Sequence, residues 1–190
     1  MMSALRLRGG RRGVVRLALA AALIAAPAFA ADASDVAPDV AVKAAFLYNF
    51  AKFAEWPGLP AGTPIVSCIV GDDGIAAALV ETVRGQSING HTLDVSRPQD
   101  SATWKACHLL FIADAETRRS AGGLGAIRTL PVLTVSDGKG FLQAGGIIEL
   151  YVEGGKMRFA INADTAERTG LRLSSRLLGL AKIVRNGHVQ

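Results

Sequence analysis

Asp72, Asp73 and Asp137 are the acidic residues best placed for chemistry. Each follows a short apolar run, and α/β sheets bind ligands at the carboxyl ends of their strands. Paired carboxylates there could hold a cation or work as an acid and a base. None has a histidine or lysine directly beside it, and the turn Gly71–Gly74 lacks the glycine spacing of a dinucleotide fingerprint. Two acids in that turn would also repel a phosphate. All three are read as turn residues. The histidines offer no more. His91 follows a turn, His108 enters an apolar strand as a satisfied sheet residue, and His188 sits near the C-terminus, without metal-ligand spacing. No G-x-S-x-G elbow, H-E-x-x-H helix or C-x-x-C pair is present. The sequence therefore predicts a non-enzyme with no catalytic residues, no metal and no cofactor.

The remaining reactive groups are Cys68 and Cys107. In an exported chain an even cysteine count reads as one disulfide, with two buried thiols as the alternative. A closed loop of about 40 residues would be worth about 4 kcal/mol by chain entropy.

Export is expected from the N-terminus. Arg6, Arg8, Arg11, Arg12 and Arg16 form a basic region, Leu17 to Ala26 an apolar run, and Ala28-Phe29-Ala30 a small-x-small cleavage site. The apolar run is shorter than the roughly 20 residues a membrane span needs. Residues 1–30 are read as a signal peptide for the general secretory route, cleaved near Ala30-Ala31, so the protein is expected in the periplasm. Residues 31–39 are read as a flexible N-terminus and 40–190 as one domain. Five of the 21 basic residues lie in the signal, leaving 16 against 16 acidic. The mature chain is formally neutral, which removes the compositional case for nucleic-acid binding.

The elements that position these groups follow from pattern. Val42 to Pro57 is read as an amphipathic helix with Val42, Phe46, Leu47, Phe50, Phe53 and Ala54 on the core side. Tyr48, Asn49 and Trp56 lie on the other side and are candidates for partner contact, as is Trp104 farther along. Strands are expected at Pro64–Val70, around Leu93 and Val95, at Cys107–Ala113 and at Pro131–Val135. Helical segments alternate with them at Ile75–Val83, in a short turn before Ala106, and at Asp114–Arg128, where Gly122, Gly123 and Gly125 are read as interruptions. Such alternation predicts a single α/β domain with a mixed, mostly parallel sheet flanked by helices. In doubly wound order the first strand lies between the second and third, which would bring Cys68 and Cys107 onto neighbouring strands. Ile147–Val152 and Met157–Ile161 around Gly154-Gly155 predict a C-terminal β-hairpin. Asn162 or a nearby Asp should cap a short helix, and Ser174 a last helix over Ser175–Arg185 with Leu173, Leu177, Leu180, Ala181 and Val184 on its apolar face.

Four blocks then resemble the YfiR-like periplasmic proteins: AAFLYNFAKFAEWP, IVSCIVGDD, CHLLFI, and the long segment from GGIIELYV to GLAKIV. They follow in order over essentially the whole mature chain. The resemblance implies a repressor that binds the periplasmic domain of a membrane diguanylate cyclase, lowers cyclic di-GMP and biofilm formation, forms a homodimer, and is sequestered by an outer-membrane lipoprotein. It also implies that Cys68 and Cys107 match one family disulfide. This chain lacks the second C-terminal cysteine pair that characterised members can carry. A small-ligand sensor is the second expectation, with its pocket near Gly71–Gly74 and Ser136–Gly140.

Overall fold

The computed structural model describes residues 38–185 and the backbone of residues 188–189. The expected signal peptide and residues 31–37 lie outside the described residues. Helix α1 (Pro38–Phe53) leads into β1 (Ala54–Glu55), and then come β2 (Ile65–Val70), α2 (Asp73–Val83), β3 (Ser87–Ile88) and β4 (His91–Ser96). A 3-10 helix (Ser101–Ala106) precedes β5 (Leu109–Ile112), α3 (Asp114–Thr117), α4 (Ala121–Ile127) and β6 (Leu133–Ser136). The C-terminal half holds β7 (Ile148–Glu153), β8 (Lys156–Asn162), α5 (Ala163–Arg168), β9 (Arg172–Leu173), α6 (Ser175–Leu178), β10 (Lys182–Arg185) and β11 (His188–Val189).

Nine strands form one sheet in the order β11-β10-β8-β7-β6-β5-β2-β4-β3. The run from β4 to β7 is parallel, β8 turns antiparallel to β7, and β10 lies parallel to β8. The fold is α/β, with a mixed, mostly parallel sheet flanked by helices. β2 lies between β4 and β5, so the first long strand sits between the next two, as expected.

Period-two alternation splits the core between the two faces of the sheet. On β5, Leu109 and Phe111 join a cluster with α1 and α2, while Leu110 and Ile112 join Trp104, Leu124, Ile127 and Phe141 beneath the 3-10 helix and α4. The second cluster also encloses a disulfide between Cys68 and Cys107, whose Cα atoms are 5.8 Å apart. Cys107 lies at the end of the 3-10 helix, two residues before β5, rather than on the strand itself.

Two turns show why their glycines are there. Gly154 and Gly155, with φ of 58° and 71°, make the two-residue turn of the β7–β8 hairpin, a geometry in which both residues need positive φ. Gly123 acts through space instead. A Cβ there would stand 2.5 Å from the Trp104 ring and 2.7 Å from Ser101 Cβ. The glycines of α4 thus do not interrupt it; one of them lets the helix lie directly on the indole. Gly123→Ala is therefore expected to destabilise the protein. Helix propensity favours alanine by about 1 kcal/mol, but overpacking costs about 1–3 kcal/mol. A raised urea midpoint for the variant would contradict this packing.

Three expectations are corrected. First, the buried line of α1 is Ala44, Leu47, Phe50, Ala51, with Ala54 just beyond, and Val42 is 41% exposed. The face is rotated by roughly 80° because small alanines, not only large side chains, fill the contact with α2. Pro38 and Asp39, assigned to the flexible segment, form the first turn of this helix. Second, the helix ends at Phe53. Residues 54–55 pair with Arg172–Leu173, and the Ser174 N–H donates to the Phe53 carbonyl at 2.9 Å. Third, the last helix stops at Leu178. Gly179 caps it, and β-branched Ile183 and Val184 continue as a strand that satisfies the open edge of β8. Leu180, placed on an apolar helix face from the sequence, is 69% exposed.

Candidate functional site

The carboxyl ends of the parallel strands are held together by polar contacts. Asp72 is the N-cap of α2, its Oδ1 accepting from the Ile75 N–H at 2.8 Å. Asp73 is exposed and meets Arg97 at 3.4 Å. Asp137 ties three elements together. Its Oδ1 accepts from the Asp114 N–H at 2.8 Å, and its Oδ2 accepts from Lys43 Nζ at 2.7 Å. Lys43 also reaches Asp39 at 2.8 Å. Burial pulls the Lys43 pKa down, but the hydrogen bonds and charges of Asp137 and Asp39 outweigh it and hold the ammonium above its ordinary value.

The crevice between β2 and β5, where a doubly wound sheet would seat a ligand, is filled by α3. A Cβ on Gly71 would lie 2.3 Å from Glu116 Cγ, and one on Gly138 would lie 2.5 Å from Thr117 Oγ1. The three aspartates are engaged in structure, and α3 fills the space beside Gly71 and Gly138, while a separate cavity of about 470 Å³ opens on the other side of the loop at residues 136–140, lined by Asp137 and Lys139 with Leu142, Tyr151 and Lys182.

His108 is satisfied, as the sequence suggests. Its Nδ1 accepts from the Val66 N–H at 3.0 Å, which places the ring proton on Nε2. Burial first, and the charge of His91 second, lower its pKa. The folded state therefore favours the neutral ring. Below the unfolded value of about 6.5 the unfolded chain takes up a proton before the native one does. Stability from this group is full above about pH 6.5 and falls as pH drops through the folded pKa. Urea midpoints at pH 7.5 and 5.5 are expected to differ more for the wild type than for His108→Gln. Equal differences would show that another group carries the slope.

The four residues proposed as partner contacts separate in the structure. Trp56 is only 9% exposed; it has left the helix, and its indole N–H donates to the His108 carbonyl at 3.0 Å. Trp104 is 3% exposed beneath α4. Neither tryptophan is on the surface, because both rings complete the core. Tyr48 is half-buried against the α1–α2 cluster, and Asn49 is exposed with its amide donating to the Ala45 carbonyl at 2.8 Å.

The outward side of α1 carries a different set. Val42, Phe46, Asn49 and Phe53 recur at helical spacing, the valine exposed and both phenylalanines half-buried. Phe46 packs edge-on against Phe159 of β8 at 5.8 Å, and the Arg176 guanidinium lies 5.6 Å from the centre of the Phe53 ring. Alternation along the hairpin puts Leu150 and Val152, and opposite them Phe159 and Met157, on the same face as α1. Val152 is 66% exposed. Leu150 and Phe159 are buried beneath this face, so the exposed apolar band from α1 to the hairpin tip is made by Val42, Phe46, Met157 and Val152. The sequence pattern missed it, because Val42 was assigned to the core and Val152 reads as an ordinary strand residue. The one sequence signal was the Gly-Gly turn, which marks the hairpin end as protruding.

Disulfide, sheet order and band together define a cross-linked α/β domain with an apolar surface left open on one side. The chain belongs to the YfiR/HmsC-like family, the match running over residues 40–182. The family points to periplasmic regulation of diguanylate cyclase systems. Among solved structures, a conserved domain protein from Vibrio cholerae O1 biovar El Tor N16961 is similar at a TM-score of 0.46 and 12% identity. The alignment covers 74% of this chain and 59% of that one. Among the described residues no helix is long and apolar enough to cross a membrane, and no group of three or more His, Cys, Asp or Glu could hold a metal ion.

Proposed function

We propose that the protein is a periplasmic inhibitor that binds the periplasmic sensor domain of an inner-membrane diguanylate cyclase. Binding lowers cyclic di-GMP and with it biofilm formation. Family membership supports the reading, and one surface observation carries it: the band from Val42 through Phe46 to Val152. Few residues dominate most interfaces, and they are aromatic or apolar side chains at the centre of a patch. Phe46 has that position, with Asn49 beside it and Tyr48 on the flank. An inhibitor shifts the cyclase only by its differential affinity for the two states, so the band must fit the inactive sensor better than the active one. A cleaved signal near Ala30-Ala31, a homodimer, and sequestration by an outer-membrane lipoprotein complete the scheme.

Deleting the gene is expected to raise cyclic di-GMP and biofilm mass, and the wild-type copy to restore both. A Phe46→Asp copy, exported to the same level, should not. Unchanged cyclic di-GMP on deletion would overturn the proposal.

A further inference from the structure

A cleft of about 500 Å³ that shares no lining residue with the apolar band lies between α4, the loop at residues 143–145 and α5. Its volume falls in the range of small-molecule sites. Arg128, Arg168, Thr129, Thr165 and Gln143 are its polar side chains, and no carboxylate lines it.

The two arginines come from different helices. Arg128 caps the end of α4, and Arg168 closes α5. Arg128 makes no ion pair or hydrogen bond among the described residues. Arg168 has no carboxylate partner there either, and its Nη2 donates to Thr165 Oγ1 at 2.8 Å. That bond fixes one edge of the guanidinium and leaves its other donors free. Thr165 is buried, at 3% exposure, and its hydroxyl proton has no acceptor among the described residues. Leu124, also buried, supplies an apolar wall.

Two uncompensated guanidinium groups and a buried hydroxyl on one concave surface match an oxyanion. Arginine's planar fork binds carboxylate and phosphate through paired hydrogen bonds, and a cleft raises the field between like charges. We propose that this cleft binds a small organic anion through a carboxylate or phosphate group, held by Arg128 and Arg168 with Thr165 donating from the floor. The ligand's remaining atoms lie along Leu124. The site is independent of the cyclase reading, since it uses none of the band residues.

A competing role is electrostatic. Arg168 sits in the last turn of α5 and Arg128 at the C-cap of α4, where a cation offsets the carbonyl dipoles. The two roles separate in thermal melts of the full mature protein, run at fixed ionic strength with sodium phosphate, sodium succinate or sodium chloride. Phosphate or succinate is expected to raise Tm saturably, by about 3–6 °C at ten times its Kd, while chloride does not. Which of the two acts identifies the group. Arg128→Lys with Arg168→Lys keeps both helix-end charges but loses the fork, so its Tm in chloride should match the wild type and the anion response should weaken at least tenfold. Arg128→Gln with Arg168→Gln should abolish the response. No shift with either anion, or a shift that persists in the lysine variant, would overturn the proposal.

Discussion

Cys68→Ser lowers the melting temperature of the oxidised protein by roughly 10 °C and leaves the reduced protein nearly unchanged. The bridge joins residues 39 apart in sequence. Closing that loop removes about 4 kcal/mol of chain entropy from the unfolded state. In a domain of this size each kcal/mol moves Tm by about 2–4 °C. The substitution also leaves a hydroxyl where sulfur was buried beside Trp104 and Phe141, but that packing change acts in both redox states. The difference between melts with and without reductant isolates the cross-link. An equal loss in both would mean that the two sulfurs contribute only as packed side chains.

Phe50→Ala carries a comparable loss for a different reason. Phe50 is 1% exposed and meets Phe159 edge-on at 5.1 Å and Phe46 at 5.7 Å. Removing the ring forfeits its burial and leaves a cavity between α1 and the sheet, at a cost of about 3–5 kcal/mol. Interiors packed to crystal density relax only in part around such a void. The denaturant midpoint should fall with the slope unchanged. A loss below about 1 kcal/mol would show that α1 is not anchored through this ring.

The order of β2, β4 and β5 was legible because strands separated by helical segments have few right-handed ways to join one sheet. The hairpin and the caps at Asn162 and Ser174 were legible for a local reason: their chemistry lies within four residues. What escaped depends on distant partners. Val42 looked like core because large side chains dominate a periodicity, whereas Ala44 and Ala51 set the real contact. The strand at Lys182–Arg185 exists because β8 has an open edge to fill, so a leucine-rich segment that reads as helix yields after Gly179. Trp56 looked like a surface anchor because nothing near it in sequence shows that its indole N–H finds a carbonyl 52 residues away. Arg128 and Arg168 read as ordinary helix-end cations; only the fold sets them around one cleft. The family signature in the first and last blocks was visible throughout, but it names a class of partner, not the side chains that meet it.

Direct binding tests the central claim. The mature protein is titrated by calorimetry into the purified periplasmic domain of the diguanylate cyclase encoded nearest to it. The wild type should bind saturably. Phe46→Asp and Val152→Asp should each weaken binding at least tenfold while retaining the disulfide and the wild-type circular dichroism. Saturable binding that both variants preserve would contradict the band as the interface, and no binding by the wild type in oxidising or reducing buffer would contradict the account for that cyclase.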